Sequence, residues 1–91
     1  MKYYVKRTET FKRTAKKFLK KHPQLIKKFK DVILILEKNP FDASLNTHKL
    51  KGKHKDKYGV SLDYKYRFTV SIQIRDKEVI LMDVGPHDAV Y

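Results

Sequence analysis

The chain has 91 residues, no cysteine, and 22 Lys and Arg against 10 Asp and Glu, a formal net charge of +12. That length supports one domain over residues 1–91, built on one core. The lack of cysteine excludes disulfide frameworks, thiolate zinc sites and thiol nucleophiles. No apolar run is long enough for a membrane-spanning helix, and "MKYYVKRTETFKR" has no signal-peptide apolar stretch, so a cytoplasmic location is expected.

The charge is uneven. Residues 1–57 carry 18 basic and 5 acidic residues, whereas 58–91 carry 4 and 5. Such an excess predicts a polyanionic partner, whether nucleic acid, an acidic protein or an anionic membrane, over a merely solvated basic face.

"KYYVKRT" reads as a first strand. Thr8 or Thr10 then suits a helix N-cap, where a hydroxyl accepts an orphan backbone N–H. Phe11, Ala15, Phe18 and Leu19 form one helical stripe. "KKHPQ" is a tight corner with Pro23 fit for the first position of a second helix. Leu25, Ile26, Phe29, Val32, Ile33 and Leu36 continue at helical spacing until Asn39-Pro40 stops the run. Residues 40–57 read as a long polar connection with Phe41, Leu45 and Leu50 as anchors. Seven of its last ten residues are Lys or His, and a connection this long is more often functional than idle.

From Tyr58 the period becomes two. Tyr58, Val60, Leu62, Tyr64, Tyr66, Phe68, Val70, Ile72 and Ile74 alternate with polar or small residues, among them Arg67. One face should pack on a core and the other should be wet. A turn near Asp63–Lys65 divides this stretch, "RDKE" makes a second turn, and "VILMDV", apolar on both faces, predicts an interior strand. The expected fold class is α+β in the order β-α-α-β-β-β, a helical hairpin packed on one face of a mainly antiparallel sheet.

In that arrangement Arg67 lies on the face not covered by helices, and the tail "GPHDAVY" brings His87 and Tyr91 beside it. Arg, His and Tyr next to a basic surface match the needs of RNA cleavage by the 2′-hydroxyl. That reaction takes a base, an acid for the leaving 5′-oxygen and cations for the transition-state charge. Histidine titrates near neutrality, and arginine's fork fits a phosphate. The alternatives are ordinary ones. Arg67 pairs with Asp63 or Asp83, His87 is a surface residue, and Tyr91 packs down a terminus. No histidine pair has helical spacing and no phosphate-binding loop occurs, so neither a metal nor a cofactor is expected.

Three stretches together, "HKLKGK", "YKYR" and "DVGPHDAVY", resemble the RelE/ParE toxin superfamily of type II toxin–antitoxin systems, in its RelE/YafQ-like mRNA interferase branch. The resemblance covers the whole chain and implies the same element order. It implies a metal-independent endoribonuclease that cuts mRNA on the ribosome and is neutralised by a cognate acidic antitoxin. It also assigns acid/base chemistry to His48 and His87, steadying of the scissile phosphate to Arg67, and orientation of the nucleotide to Tyr91. The basic stretch with Lys49, Lys51, Lys53, His54, Lys55 and Lys57 would contact mRNA or rRNA. The chain departs from the pattern at Gly59 and Ser61, where RelE enzymes carry lysines. It departs again at Asp83, where YafQ-like enzymes often carry an arginine. Two other classes remain in view: a ParE-like non-catalytic inhibitor of DNA gyrase, and a basic RNA-binding module without chemistry.

Overall fold

A hydroxyl opens the helical half of the molecule. In the computed structural model, which describes residues 2–52 and 56–86, Thr8 accepts the Phe11 N–H at 3.0 Å and donates to the Leu81 carbonyl at 3.2 Å. One side chain thus caps helix α1 (Glu9–Lys21) and ties its start to the sheet. Glu9 in the first turn and Lys20 and Lys21 in the last complement the helix dipole. A 3-10 turn (Pro23–Leu25) begins at the proline and leads into α2 (Ile26–Lys38). Phe11, Ala15 and Phe18 of α1 and Phe29, Val32 and Leu36 of α2 are the buried stripes.

Those stripes lie on a five-stranded sheet of order β1-β5-β4-β3-β2, made of β1 (Tyr4–Arg7), β2 (His48–Lys49), β3 (Tyr58–Ser61), β4 (Tyr66–Gln73) and β5 (Glu78–Pro86). All neighbours pair antiparallel except β1, which runs parallel to β5. The interior position expected for "VILMDV" is where β5 sits. Val60, Leu62, Phe68, Val70 and Ile72 join the helical stripes in one core, with the Phe68 ring 5.9 Å from Phe11 and 4.9 Å from Phe29. The even-numbered register therefore holds. Tyr64 and Ile74, 88% and 56% exposed, leave the pattern because both fall in turns.

β5 changes parity partway along. Thr69 pairs with Asp83 and Val70 with Leu81, so Met82 has no partner in the register. This bulge lets odd-numbered Val79 and Leu81 and even-numbered Val84 all reach the helix side, where each is buried.

Two expectations are corrected. Residues 40–57 are not a plain connection, because they contain a 3-10 turn (Ala43–Leu45) and the strand β2. Thr47 donates to the Pro40 carbonyl at 2.6 Å, and Asp42 accepts from both the backbone and hydroxyl of Ser44, which folds the segment tightly enough to bury Leu45 and Leu50. Phe41 stays 42% exposed while meeting the Tyr58 ring edge-on. Nor is the face opposite the helices uniformly wet. Arg67 is 2% and Thr69 3% exposed, and Gly59 is buried as well. The helices do not cover Arg67, since its neighbour Phe68 points at them and successive side chains alternate. The added edge strand β2 narrows that face, and glycine stands opposite Arg67 on β5.

Candidate active site

The site is assembled from strand ends on the side of the sheet away from the helices. Arg67 stands near the start of β4, directly between Ser61 on β3 and Gly85 on β5. The turn before it is set by Asp63, whose Oδ1 accepts the N–H groups of Lys65 and Tyr66, both at 2.9 Å. That carboxylate is thereby engaged in its own turn, and Asp83 accepts the Val84 N–H at 2.9 Å.

His48 comes in from the edge. It pairs with Gly59, so its ring lies on the same face as Arg67, with Nε2 3.4 Å from Arg67 Nη1. Nδ1 lies 2.8 Å from the Asn46 carbonyl, which can only accept, so this nitrogen carries the proton. In the neutral ring Nε2 then presents its lone pair toward the guanidinium. Asn46 holds that carbonyl from a left-handed backbone conformation (φ 48°), one that asparagine adopts more readily than most residues.

Gly59 makes room for the ring. A Cβ there would lie 3.1 Å from Leu50 Cδ2 and 3.2 Å from His48 Cε1 and Nε2. The glycine that departs from the RelE pattern is therefore the floor beneath the histidine. The signal was present in the sequence, since a lone glycine inside an alternating strand often marks a close approach. Thr69, which pairs with Gly59, adds a buried hydroxyl on this face that has no hydrogen-bond partner among the described residues.

Of the residues expected at the site, His48 and Arg67 come together. Lys49 pairs with Tyr58 and so faces the other side of the sheet, while Lys51 is exposed just past β2 and Lys57 precedes β3. His87, Tyr91, Lys53, His54 and Lys55 lie outside the described residues. Away from the site, Asp42 is held below the ordinary carboxylate pKa by the Ser44 hydroxyl and N–H. Lys6 is raised above its ordinary value by its hydrogen bond and charge pairing with Glu78.

No protein-family model matches the sequence, and no curated protein matches it either. The fold does match solved structures over nearly its whole length. The YafQ structure from E. coli superposes with a TM-score of 0.79 at 18% identity, covering 98% of each chain. A toxin–antitoxin complex from Mycobacterium tuberculosis, RelBE2, gives 0.76 at 17%, covering 96% of this chain and 100% of that one. A YoeB/ParE toxin from Agrobacterium tumefaciens gives 0.76 at 14%, covering 92% and 98%. Two helices packed on a mixed five-stranded sheet, with these neighbours, give the chain the fold of the RelE/YafQ-like toxins.

Proposed function

We propose that this chain is the toxin of a type II toxin–antitoxin pair and that it is a metal-independent endoribonuclease acting on mRNA at the ribosome, in the cytoplasm. The observation that carries this reading is the His48–Arg67 pair: a proton-accepting nitrogen held beside a buried guanidinium on the face the helices leave open.

The proposed roles join the His48–Arg67 geometry to the family resemblance, which alone assigns those of His87 and Tyr91. Arg67 binds the scissile phosphate through its planar fork and offsets the charge that builds on the phosphorus oxygens. When the phosphate draws the guanidinium, Nε2 of His48 is released to take the 2′-hydroxyl proton. The 2′-oxygen then bonds to phosphorus, and the bond to the 5′-oxygen breaks. That oxygen leaves with a proton from a general acid, the role assigned to His87, with Tyr91 placing the nucleotide. The products are a 2′,3′-cyclic phosphate and a 5′-hydroxyl end. The basic stretch Lys49, Lys51, Lys53, His54, Lys55 and Lys57 meets mRNA and rRNA phosphates. The neutralising partner is an acidic antitoxin, and the fold's likeness to a chain solved within a toxin–antitoxin complex supports that partner class.

The test is end mapping of cellular mRNA after brief expression. Positioned cuts with 5′-hydroxyl ends, lost in Arg67→Ala, are expected. Division arrest with intact mRNA would replace this reading with inhibition of DNA gyrase, and neither effect would leave a binding module.

A further inference from the structure

A recess lies on the helix side of the same strand ends, against the C-terminal half of α1. It encloses about 460 Å³. Its floor is aromatic: Phe18, His22 and Tyr66 pack on one another with ring centroids 4.7–5.0 Å apart. Its rim carries Lys17, Lys20 and Lys21, all exposed, and no acidic residue lines it among the described residues. None of the three lysines forms a salt bridge among the described residues. Spaced i, i+3 and i+4, they fall on one side of the helix.

Tyr66 immediately precedes Arg67, and Gly85, which also lines the recess, is the residue paired with Arg67 across the sheet. The side chains of Tyr66 and Arg67 point to opposite faces of the sheet, so the recess and the candidate active site lie on opposite faces and meet only at these strand ends. Rings beneath a row of cations make a platform for a strand that carries both flat bases and regularly spaced negative charge. A carboxylate-rich peptide would use the cations, but it has no planar groups in series to set against the rings.

We propose that this groove binds single-stranded RNA that passes over the strand ends from the phosphate held by Arg67, with one base against the His22–Tyr66–Phe18 cluster and the neighbouring phosphates on Lys17, Lys20 and Lys21. The inference rests on the ribonuclease reading for its continuity with Arg67. Its test does not depend on cleavage.

The probe is a fluorescent 2′-O-methyl hexaribonucleotide, which has no 2′-hydroxyl to react, titrated into the whole chain at several salt concentrations. Lys17→Ala combined with Lys20→Ala should weaken binding and flatten the log–log salt slope by about 1.4, or roughly 0.7 per lost phosphate contact. His22→Ala should weaken binding about tenfold and His22→Phe should restore it, as expected of a stacking surface. A control pair outside the groove, Lys30→Ala with Lys38→Ala, should weaken binding much less. Equal losses in the groove and control pairs would reduce the effect to general charge and overturn the proposal. So would a glutamate heptapeptide with a central phenylalanine that binds in a groove-lysine-dependent way while the oligonucleotide does not, which would mark a protein-docking site. If the oligonucleotide binds as expected but wild-type protein cuts no mRNA, the nuclease reading falls and the groove stands. If mRNA is cut and the groove variants bind like wild type, the reverse holds.

Discussion

His48 is held at both ring nitrogens, by the Asn46 carbonyl at 2.8 Å and by Arg67 Nη1 at 3.4 Å. A histidine so placed has one tautomer and one orientation, which is what a general base requires. His48→Gln should fold as the wild type does and lower single-turnover mRNA cleavage by about 10²–10⁴-fold. Asn46→Gly should keep most of the activity, because glycine adopts the left-handed backbone freely. Asn46→Val should lose it together with some stability. Wild-type cleavage by His48→Gln would remove this residue from the chemistry.

Gly59→Ala tests the seat of that ring. The new Cβ would press on Leu50 and His48, and the imidazole, at the edge of the sheet, is the more readily displaced. The expected result is a stability loss of about 1–3 kcal/mol, in the range of core overpacking. Cleavage should fall by more than that loss explains, and the His48 ring resonances should shift away from those of the wild type. A variant that is less stable, yet fully active with unmoved His48 signals, would reduce Gly59 to a packing residue.

Arg67 is buried to 2% exposure, so its substitutions should separate charge from shape. Arg67→Lys keeps the charge but loses the planar fork, and it should slow the chemical step nearly as much as Arg67→Ala while leaving ribosome binding close to wild type. Single-turnover rates measured against ribosome affinity make the distinction. Parallel losses in both would recast Arg67 as a docking contact.

Thr69 gives a prediction of opposite sign for stability and function. Its hydroxyl is buried without a partner among the described residues, a condition that costs about 1–3 kcal/mol. Thr69→Val has nearly the same shape and removes the polar atom, so thermal unfolding should shift upward, by about 4–8 °C per kcal/mol for a domain of this size. Cleavage should fall if the hydroxyl meets the substrate on the Arg67 face. A destabilised Thr69→Val would mean that the hydroxyl is satisfied in solution.

The edge strand offers a pH test. Lys6 lies 2.7 Å from Glu78, and the carboxylate raises the lysine pKa above its ordinary 10.5. A raised folded-state pKa means that the folded state holds the proton more tightly. The contribution is therefore complete below the unfolded value and disappears as pH rises through the folded one. The difference in melting temperature between wild type and Lys6→Met should be small, because the pair is at the surface, and constant from neutral pH to about pH 9. It should close above the raised lysine pKa. A gap that widened at high pH would contradict the pairing.

Periodicity in the sequence determined the two helices, the turns near Asp63–Lys65 and at Arg75–Glu78 (the second falls one residue earlier in the structure), and the even-numbered face that meets the helices. Each of these is a local property: a side chain at i, i+2 or i+4 reports which way one element turns toward apolar neighbours. Arg67 was legible as a residue of the face opposite the helices, and His48 as a site residue through a family resemblance. The contact between them was decided by tertiary structure alone, because it depends on a two-residue strand pairing His48 with Gly59. No period can be read from two residues. The same limit explains why Arg67 and Thr69 were expected to be exposed: alternation identifies the core face, whereas burial of the opposite face depends on partners distant in sequence. The bulge at Met82 and the parallel pairing of β1 with β5 likewise belong to tertiary structure, since both arise from matching strands that the chain brings together only after it has folded.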